Sequence, residues 1–120
     1  MGTIVLGYVP KPEGDAALAR AVAEAQLRGA SLIVVNTQNH GHPDLAVLDA
    51  SGVSYDIRTF TPDAEVADEL VGIAHEHDAE LIVIGLRRRS PVGKLILGSS
   101  AQRILLDAQC PVLAVKAESR

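Results

Sequence analysis

Aromatic residues are nearly missing from this sequence. They make up 2% of its 120 residues, and tryptophan is absent. A core therefore has to be built from Val, Ile, Leu and Ala, which favours a parallel sheet covered by helices. The same scarcity disfavours a surface on which single-stranded nucleic acid could stack its bases.

The sequence also has little cysteine, no excess of basic residues and no long apolar run. Cys110 is the only cysteine, so no intramolecular disulfide is possible and a reducing compartment is expected. A formal net charge of −4 speaks against broad binding to DNA or to an anionic membrane. The first apolar run, residues 3–9, is too short for a membrane span or a signal-peptide core. We therefore expect a cytoplasmic protein without a nucleic-acid or membrane partner.

What the sequence does contain is an alternation of strand-like and helix-like segments. Short apolar runs rich in β-branched residues predict buried strands at 4–9, 32–35, 81–84 and 112–115. Residues 53–59 alternate between apolar and polar, which predicts an edge strand with one wetter face. Helical stripes lie between the strands: Ala17, Leu18, Ala21, Val22 and Ala25 form the first, and Val66, Leu70, Ile73 and Ala74 the second.

Helix boundaries and two shorter helices follow from local residue types. Asp15 and Asp63 are expected N-caps, and Gly29 is an expected C-terminal stop. Residues 45–50 and 99–108 predict the two remaining helices. The resulting order, β-α-β-α-β-α-β-α-β, predicts one α/β domain over residues 1–120 with an open, five-stranded, mainly parallel sheet and helices on both faces. Ligands of such sheets bind at the carboxyl ends of the strands, near the switch in strand order.

The segment after the fourth strand carries the main functional signal. Gly85 ends that strand, and Gly98, Ser99 and Ser100 open the last helix. Free N–H groups at a helix start, together with the helix dipole, form an anion site, and glycine lets a phosphate approach the backbone. The serine hydroxyls can either cap the helix or bond a phosphate. Basic residues crowd the same region: Arg87, Arg88, Arg89, Lys94 and Arg103. They favour a small anionic ligand, with a solvated loop as the alternative.

The sequence lacks the motifs of several other kinds of site, namely P-loop, dinucleotide-binding, metal and catalytic-serine sites. Gly93 and Lys94 do not have P-loop spacing, and no G-x-G-x-x-G follows the first strand. The histidine pairs at 40/42 and 75/77 lack the spacing of a helical metal site, and G-x-S-x-G is missing. Neither a metal site nor a catalytic residue is predicted.

Over essentially its whole length the chain resembles the universal stress protein family, most strongly from Leu81 to Val115. The nucleotide-binding branch of that family carries a glycine, two residues, a second glycine, nine residues, and then a glycine followed by Ser or Thr. Gly85, Gly98 and Ser99 occupy matching places, whereas Arg88 replaces the second glycine. The resemblance implies a Rossmann-like fold of the adenine nucleotide alpha hydrolase type. It also implies a backbone contact to adenine at Asn36 or Thr37.

Two positions depart from the family pattern. Arg88 either fills the space next to the phosphates or pairs its guanidinium with them. Val9 stands where the family carries an aspartate that contacts the nucleotide, and a lost hydrogen bond there costs about 0.5 to 1.5 kcal/mol. The expected nucleotide-binding residues are Val9, Thr37, Gly85, Arg87, Arg88, Gly98, Ser99 and Ser100.

The resemblance implies a stress-response regulatory protein that binds ATP or AMP, the former with Mg²⁺. The family commonly dimerises through its last strand, which implies a homodimer through Val112 to Val115. Two alternatives stay open: a dimeric interaction scaffold without a ligand, and a slow ATP hydrolase.

Overall fold

The computed structural model describes residues 2–38, 40–59, 65–86 and 98–117. Strands and helices alternate along these residues as the sequence predicts. The five strands are β1 (Thr3–Tyr8), β2 (Ser31–Asn36), β3 (Tyr55–Thr59), β4 (Leu81–Leu86) and β5 (Val112–Lys116). The helices are α1 (Pro12–Arg28), α2 (Leu45–Ala50), α3 (Val66–Glu76) and α4 (Ser99–Asp107).

The strands form one sheet in the order β3-β2-β1-β4-β5, and every neighbouring pair is parallel. The strand order reverses between β1 and β4, which is the switch point of a doubly wound sheet. Strands β3 and β5 lie at the two edges, so the edge assignment of residues 53–59 is confirmed. The predicted α/β class is confirmed by the alternation of strands and helices and by the parallel pairing.

Helices cover both faces of the sheet. The core on one face joins α1 and Leu48 of α2 to side chains such as Ile4 and Val34. The core on the other face joins α3 and α4 to side chains such as Val5 and Ile82. Every member of the first predicted stripe is buried, as are all members of the second except the half-buried Val66. Both stripes therefore face the sheet as predicted.

The predicted start of α1 was wrong, and its predicted end is confirmed. The helix starts at Pro12 after an extended Lys11, so Asp15 lies in its first turn instead of capping it. Proline serves as the first helical residue because its fixed φ suits the helix and its missing N–H has no partner there anyway. Gly29 ends the helix at φ 65°, and its N–H donates to the carbonyl oxygen of Ala25.

The other helix starts also differ in detail from the prediction. Asp63 lies outside the described residues, and Glu65 occupies the N-cap of α3. Asp44, which the sequence analysis did not single out, caps α2 by accepting from the N–H groups of Ala46 and Val47 at 3.0 and 3.3 Å. A side-chain cap of this kind is worth about 1 kcal/mol.

Two glycines let the start of α1 lie against the sheet. A Cβ at Gly14 would be 1.7 Å from the carbonyl oxygen of Val9, and a Cβ at Gly85 would be 2.3 Å from that of Glu13. Both obstacles are backbone atoms, which cannot rotate away as a side chain can. These glycines therefore fix how closely α1 approaches the ends of β1 and β4.

Tyr8, the last residue of β1, connects three segments on the α1 face. Its side chain is 3% exposed, and its hydroxyl lies 3.0 Å from Oδ1 of Asp15 and 3.3 Å from the carbonyl oxygen of His42. Burial, with the carboxylate of Asp15 as the next cause, raises the pKa of Tyr8 to about 12. The hydroxyl is therefore held as a neutral donor between α1 and the loop before α2.

This shift predicts a specific alkaline loss of stability. The folded state favours the neutral phenol, so the stabilisation is complete below the ordinary pKa of 10.0 and is lost as the pH rises towards 12. Urea unfolding of the unmodified protein and of Tyr8→Phe, measured from pH 8 upwards, checks this. We expect a shallower alkaline decline for the variant, and parallel declines would contradict the role given to Tyr8.

Candidate functional site

A cleft opens at the switch point, where β1 and β4 end and α4 starts. Its cavity volume is about 130 Å³, and most of its wall is apolar. The lining residues are Gly7, Val9, Thr37, Val66, Leu70, Ile84, Gly85, Ser100, Ala101 and Ile104. This is the position at which doubly wound sheets bind ligands.

The structure brings several of the predicted site residues together around this cleft. Val9, Thr37, Gly85 and Ser100 line it, although they come from four separate parts of the chain. Gly98 and Ser99 lie at the start of α4, next to Ser100. The remaining two predicted residues, Arg87 and Arg88, lie outside the described residues.

Thr37 is anchored firmly at the end of β2. Its N–H and its hydroxyl both donate to the carbonyl oxygen of Tyr8, at 3.0 and 2.9 Å. Next to it, Asn36 donates from Nδ2 to the carbonyl oxygen of Gly41 at 3.0 Å and accepts from the N–H of Gln38 at 3.3 Å. Because both donors of Thr37 are used, the backbone group that remains for a ligand at this residue is its carbonyl oxygen.

The start of α4 presents backbone donors to the cleft side of the sheet. Gly98 is the N-cap residue and has no side chain that could cap the first turn, and the first intrahelical bond in the described residues joins the N–H of Gln102 to the carbonyl oxygen of Gly98. Ser99 and Ser100 are the first two helical residues, so neither of them occupies the N-cap position. A Cβ at Gly98 would meet no other described atom within 4 Å. The first turn also contains no acidic residue, so its positive dipole end is not neutralised locally.

Arg103 serves a different purpose from the one its sequence position suggested. Its guanidinium donates to Oδ1 of Asp68 on α3 at 2.7 Å, which ties α3 to α4. Both side chains are about half exposed, so this pair contributes less than about 1 kcal/mol. Arg103 is thus paired with a carboxylate on the protein surface.

Gly85 was predicted to end the fourth strand, but β4 continues to Leu86, and Gly85 pairs with Val115 within the sheet. From the family resemblance, this glycine was expected to help hold a phosphate. The nearby backbone of Glu13 shows that α1 already requires glycine at this position. Gly85 thus both allows α1 to pack closely against β4 and lines the cleft.

Sequence reasoning missed the apolar part of the cleft wall, namely Gly7, Val66, Leu70, Ile84, Ala101 and Ile104. Leu70 was assigned to the buried stripe of the second predicted helix, and Ile84 was assigned to a fully buried strand. Nothing in the sequence marked the ends of these side chains as cleft lining. Of these residues, Ala101 would have been the easiest to predict, because it directly follows the predicted site residue Ser100.

Other reactive groups lie away from the cleft. Cys110 is half-buried, and burial raises the pKa of its thiol, which disfavours the nucleophilic thiolate. Within residues 2–38, 40–59, 65–86 and 98–117, no three His, Cys, Asp or Glu side chains are grouped to hold a metal ion. None of the helices described is long and apolar enough to span a bilayer.

A parallel, doubly wound sheet with helices on both faces defines a Rossmann-like α/β protein. The model of the universal stress protein family matches residues 45–116 of the chain. A universal stress protein of Mycolicibacterium smegmatis is 41% identical over 126 residues, which cover 94% of this chain and 96% of that protein. The chain belongs to the universal stress protein family.

Solved structures agree with this assignment along nearly the whole chain. A universal stress protein from Archaeoglobus fulgidus has a TM-score of 0.78 and 31% identity, covering 97% of this chain and 98% of that chain. The universal stress protein from Archaeoglobus fulgidus in complex with dAMP has a TM-score of 0.69 and 26% identity, with the same two coverages. The Rossmann-like fold predicted from the resemblance is confirmed.

Proposed function

We propose that this chain, as one domain over residues 1–120, is a cytoplasmic stress-response regulator that binds an adenine nucleotide, ATP or AMP, in the cleft. The observation that carries the proposal is the convergence of Val9, Thr37, Gly85 and Ser100 on one apolar cavity beside the start of α4. The structural relative in complex with dAMP supports an adenine nucleotide as the ligand class.

The base would lie in the apolar cavity near the end of β2. The carbonyl oxygen of Thr37 is a hydrogen-bond acceptor, so it suits the exocyclic amino group of adenine. Guanine carries an oxygen at the corresponding ring position, and two acceptors facing each other repel. A mismatch of this kind leaves buried polar groups unpaired and costs about 1 to 3 kcal/mol.

The phosphates would lie at the start of α4. The N–H groups of Ser99, Ser100 and Ala101 have no intrahelical partner, because the first such bond starts at Gln102. No described atom lies within 4 Å of the position of a Cβ at Gly98, which leaves an anion room to approach these groups from the described side. The hydroxyls of Ser99 and Ser100 would donate to phosphate oxygens. Arg87 and Arg88 are proposed to add positive charge, and Mg²⁺ would accompany ATP.

Isothermal titration calorimetry of the nucleotide-stripped protein tests the proposal. We expect micromolar binding of AMP and of ATP with Mg²⁺, and binding of GMP weaker by about tenfold or more. Gly98→Ala should weaken AMP binding while lowering the free energy of unfolding by no more than about 1 kcal/mol, because no described atom lies within 4 Å of its Cβ and alanine is only a weaker N-cap than glycine. Equal affinity for AMP and GMP would contradict the contact proposed for Thr37.

The ligand-free scaffold is the alternative that the same titration decides. If neither AMP nor ATP binds to the unmodified protein but Arg88→Gly binds both, Arg88 closes the cleft and the nucleotide proposal fails. If Arg88→Gly binds more weakly than the unmodified protein, Arg88 is a phosphate ligand. Phosphate release measured on the same samples tests the slow hydrolase.

We propose in addition that two copies pair through β5. This strand lies at a sheet edge, and its apolar residues Val112 to Val115 are only half-buried. Bonding to β4 starts with the N–H of Ile82 donating to the carbonyl oxygen of Pro111. In a parallel ladder this register uses the backbone of Leu113 and Val115, and it turns the N–H and C=O of Val112 and Ala114 outwards. An apolar edge with free backbone groups is suited to strand pairing.

Sedimentation velocity at several protein concentrations tests the dimer. Ala114→Pro removes one outward N–H while leaving the bonds to β4 in place, and proline is tolerated on edge strands. We expect a dimer for the unmodified protein and a monomer for Ala114→Pro. Ala114→Ser, which keeps the N–H, should remain dimeric. A monomeric unmodified protein, or a dimeric proline variant, would overturn the interface.

A further inference from the structure

Helix α2 exposes two branched apolar side chains. Leu48 is its only buried residue, whereas Leu45 and Val47 are 44% and 41% exposed. Both exposed side chains border a groove between α1 and α2 with a volume of about 610 Å³. The lining residues of this α1–α2 groove are Tyr8, Asp15, Leu18, Ala19, His42, Asp44, Leu45 and Val47. The groove therefore combines an apolar wall on α2 with polar groups from three segments of the chain.

The groove is separate from the nucleotide cleft. Tyr8 and Leu18 belong to the core on the α1 face of the sheet, whereas the cleft residues Leu70, Ile84 and Ile104 belong to the core on the opposite face. A ligand in one of these sites therefore does not occupy the other.

The charge of the groove is negative. Asp15 and Asp44 line it, and no lysine or arginine is among its lining residues. Each carboxylate is fixed by hydrogen bonds to one of its two oxygens. Oδ1 of Asp15 accepts from the hydroxyl of Tyr8, and Oδ1 of Asp44 accepts from two backbone N–H groups in the first turn of α2. In the described part of the chain, the second oxygen of each carboxylate has no hydrogen bond. A cation would therefore meet acceptors whose side chains are already ordered.

We propose that the α1–α2 groove docks a segment of a partner protein that presents an arginine or lysine next to an apolar side chain. The basic group would lie between Asp15 and Asp44, and its apolar neighbour would cover Leu45 and Val47. An anionic or wholly polar segment lacks this complementarity, because it would face two carboxylates or leave the apolar wall uncovered. The inference does not depend on nucleotide binding, since the two sites lie on different faces of the sheet.

Two-dimensional ¹H–¹⁵N NMR of the full chain with capped pentapeptides tests the proposal. The probe is Ala-Leu-Arg-Leu-Ala, and the controls replace Arg by Glu or both Leu by Ser. At about 5 mM peptide, which detects a Kd near 1 mM, we expect the probe alone to shift the amides of residues 15–19 and 42–48. No shift at this concentration, or equal shifts with all three peptides, would overturn the proposal.

Matched variants locate the charge contribution. Asp15→Asn keeps an acceptor for Tyr8, and Asp44→Asn keeps a good N-cap, so both remove charge with little effect on the fold. Each should weaken probe binding by about twofold to fivefold, whereas Asp107→Asn on α4 should not. Unchanged affinity in both groove variants would overturn the proposal. If spermidine causes the same shifts at equal affinity, the proposal fails and the groove binds small cations. If the same amides shift when the protein concentration alone is raised, the proposal fails and the groove binds a second copy of this chain.

Discussion

Replacing Gly14 by alanine should lower the free energy of unfolding by about 3 kcal/mol or more. The new methyl group would lie 1.7 Å from the carbonyl oxygen of Val9, so the backbone itself has to move. Helix propensity alone would favour alanine over glycine at this position, and the expected loss therefore measures the close approach of α1 to the end of β1. Urea unfolding followed by circular dichroism gives the value.

Two other glycines provide controls for this prediction. Gly72 lies on the exposed side of α3, and a Cβ there meets no other described atom within 4 Å, so Gly72→Ala should stabilise the protein by about 0.5 to 1 kcal/mol. Gly7→Ala should be intermediate, because its new methyl group meets only the end of the Leu70 side chain at 2.8 Å. The expected order of stability is Gly72→Ala, then Gly7→Ala, then Gly14→Ala. A different order would show that the packing of α1 does not depend on Gly14 as described.

Filling the cleft from α4 should abolish useful nucleotide binding. Alanine and leucine are both good helix formers, so Ala101→Leu should leave α4 intact. The three additional carbon atoms would enter a cavity of about 130 Å³. We expect the Kd for AMP to rise by about a hundredfold, equivalent to about 2.8 kcal/mol, with little change in the free energy of unfolding. Isothermal titration calorimetry measures the first quantity, and urea unfolding measures the second.

A control variant has to show that the loss of AMP affinity in Ala101→Leu comes from the size of the new side chain and not from any change of residue at this position. Ala101→Ser introduces a side chain of nearly the original volume at the same position, so its affinity for AMP should stay within about threefold of the unmodified protein. If Ala101→Leu binds AMP as tightly as the unmodified protein, the nucleotide does not occupy the cavity next to α4. If both variants lose binding equally, cavity volume is not the cause.

Most of the fold could be predicted because its signals are local and repeated. The β-branched runs indicated four strands, the alternating segment 53–59 indicated the fifth, and the 3.6-residue stripes indicated the two longest helices. The start of α1 was misplaced because Asp15 has the residue type of an N-cap, whereas proline at the first helical position determined the boundary. Likewise, Asp44 was overlooked because a capping aspartate looks like any other polar loop residue until its bonds to the α2 backbone are seen.

The candidate site was predictable where residue type reports backbone geometry or where the family resemblance marks a position, as it does for Val9 and Thr37. Gly85, Gly98 and Ser100 could be nominated because glycine after a buried strand, and glycine and serine at the start of a helix, indicate a backbone that a ligand can approach closely. The apolar wall was missed because a leucine facing a cleft has the same pattern as a leucine in the core. The partner of Arg103 was equally hidden, since a contact to Asp68 across two helices leaves no trace in sequence spacing.

The central place of the first strand has a consequence for synthesis on the ribosome. Strand β1 is translated first, and one of its edges pairs with β2 soon afterwards. Its other edge pairs with β4, where Ile4 lies opposite Leu81, so that edge has no native partner until β4 has been made. A nascent chain that ends before β4 exposes an apolar strand edge, the kind of surface that invites aggregation and chaperone binding. The strand order that creates the cleft thus also leaves the first strand half-paired until the fourth has been synthesised.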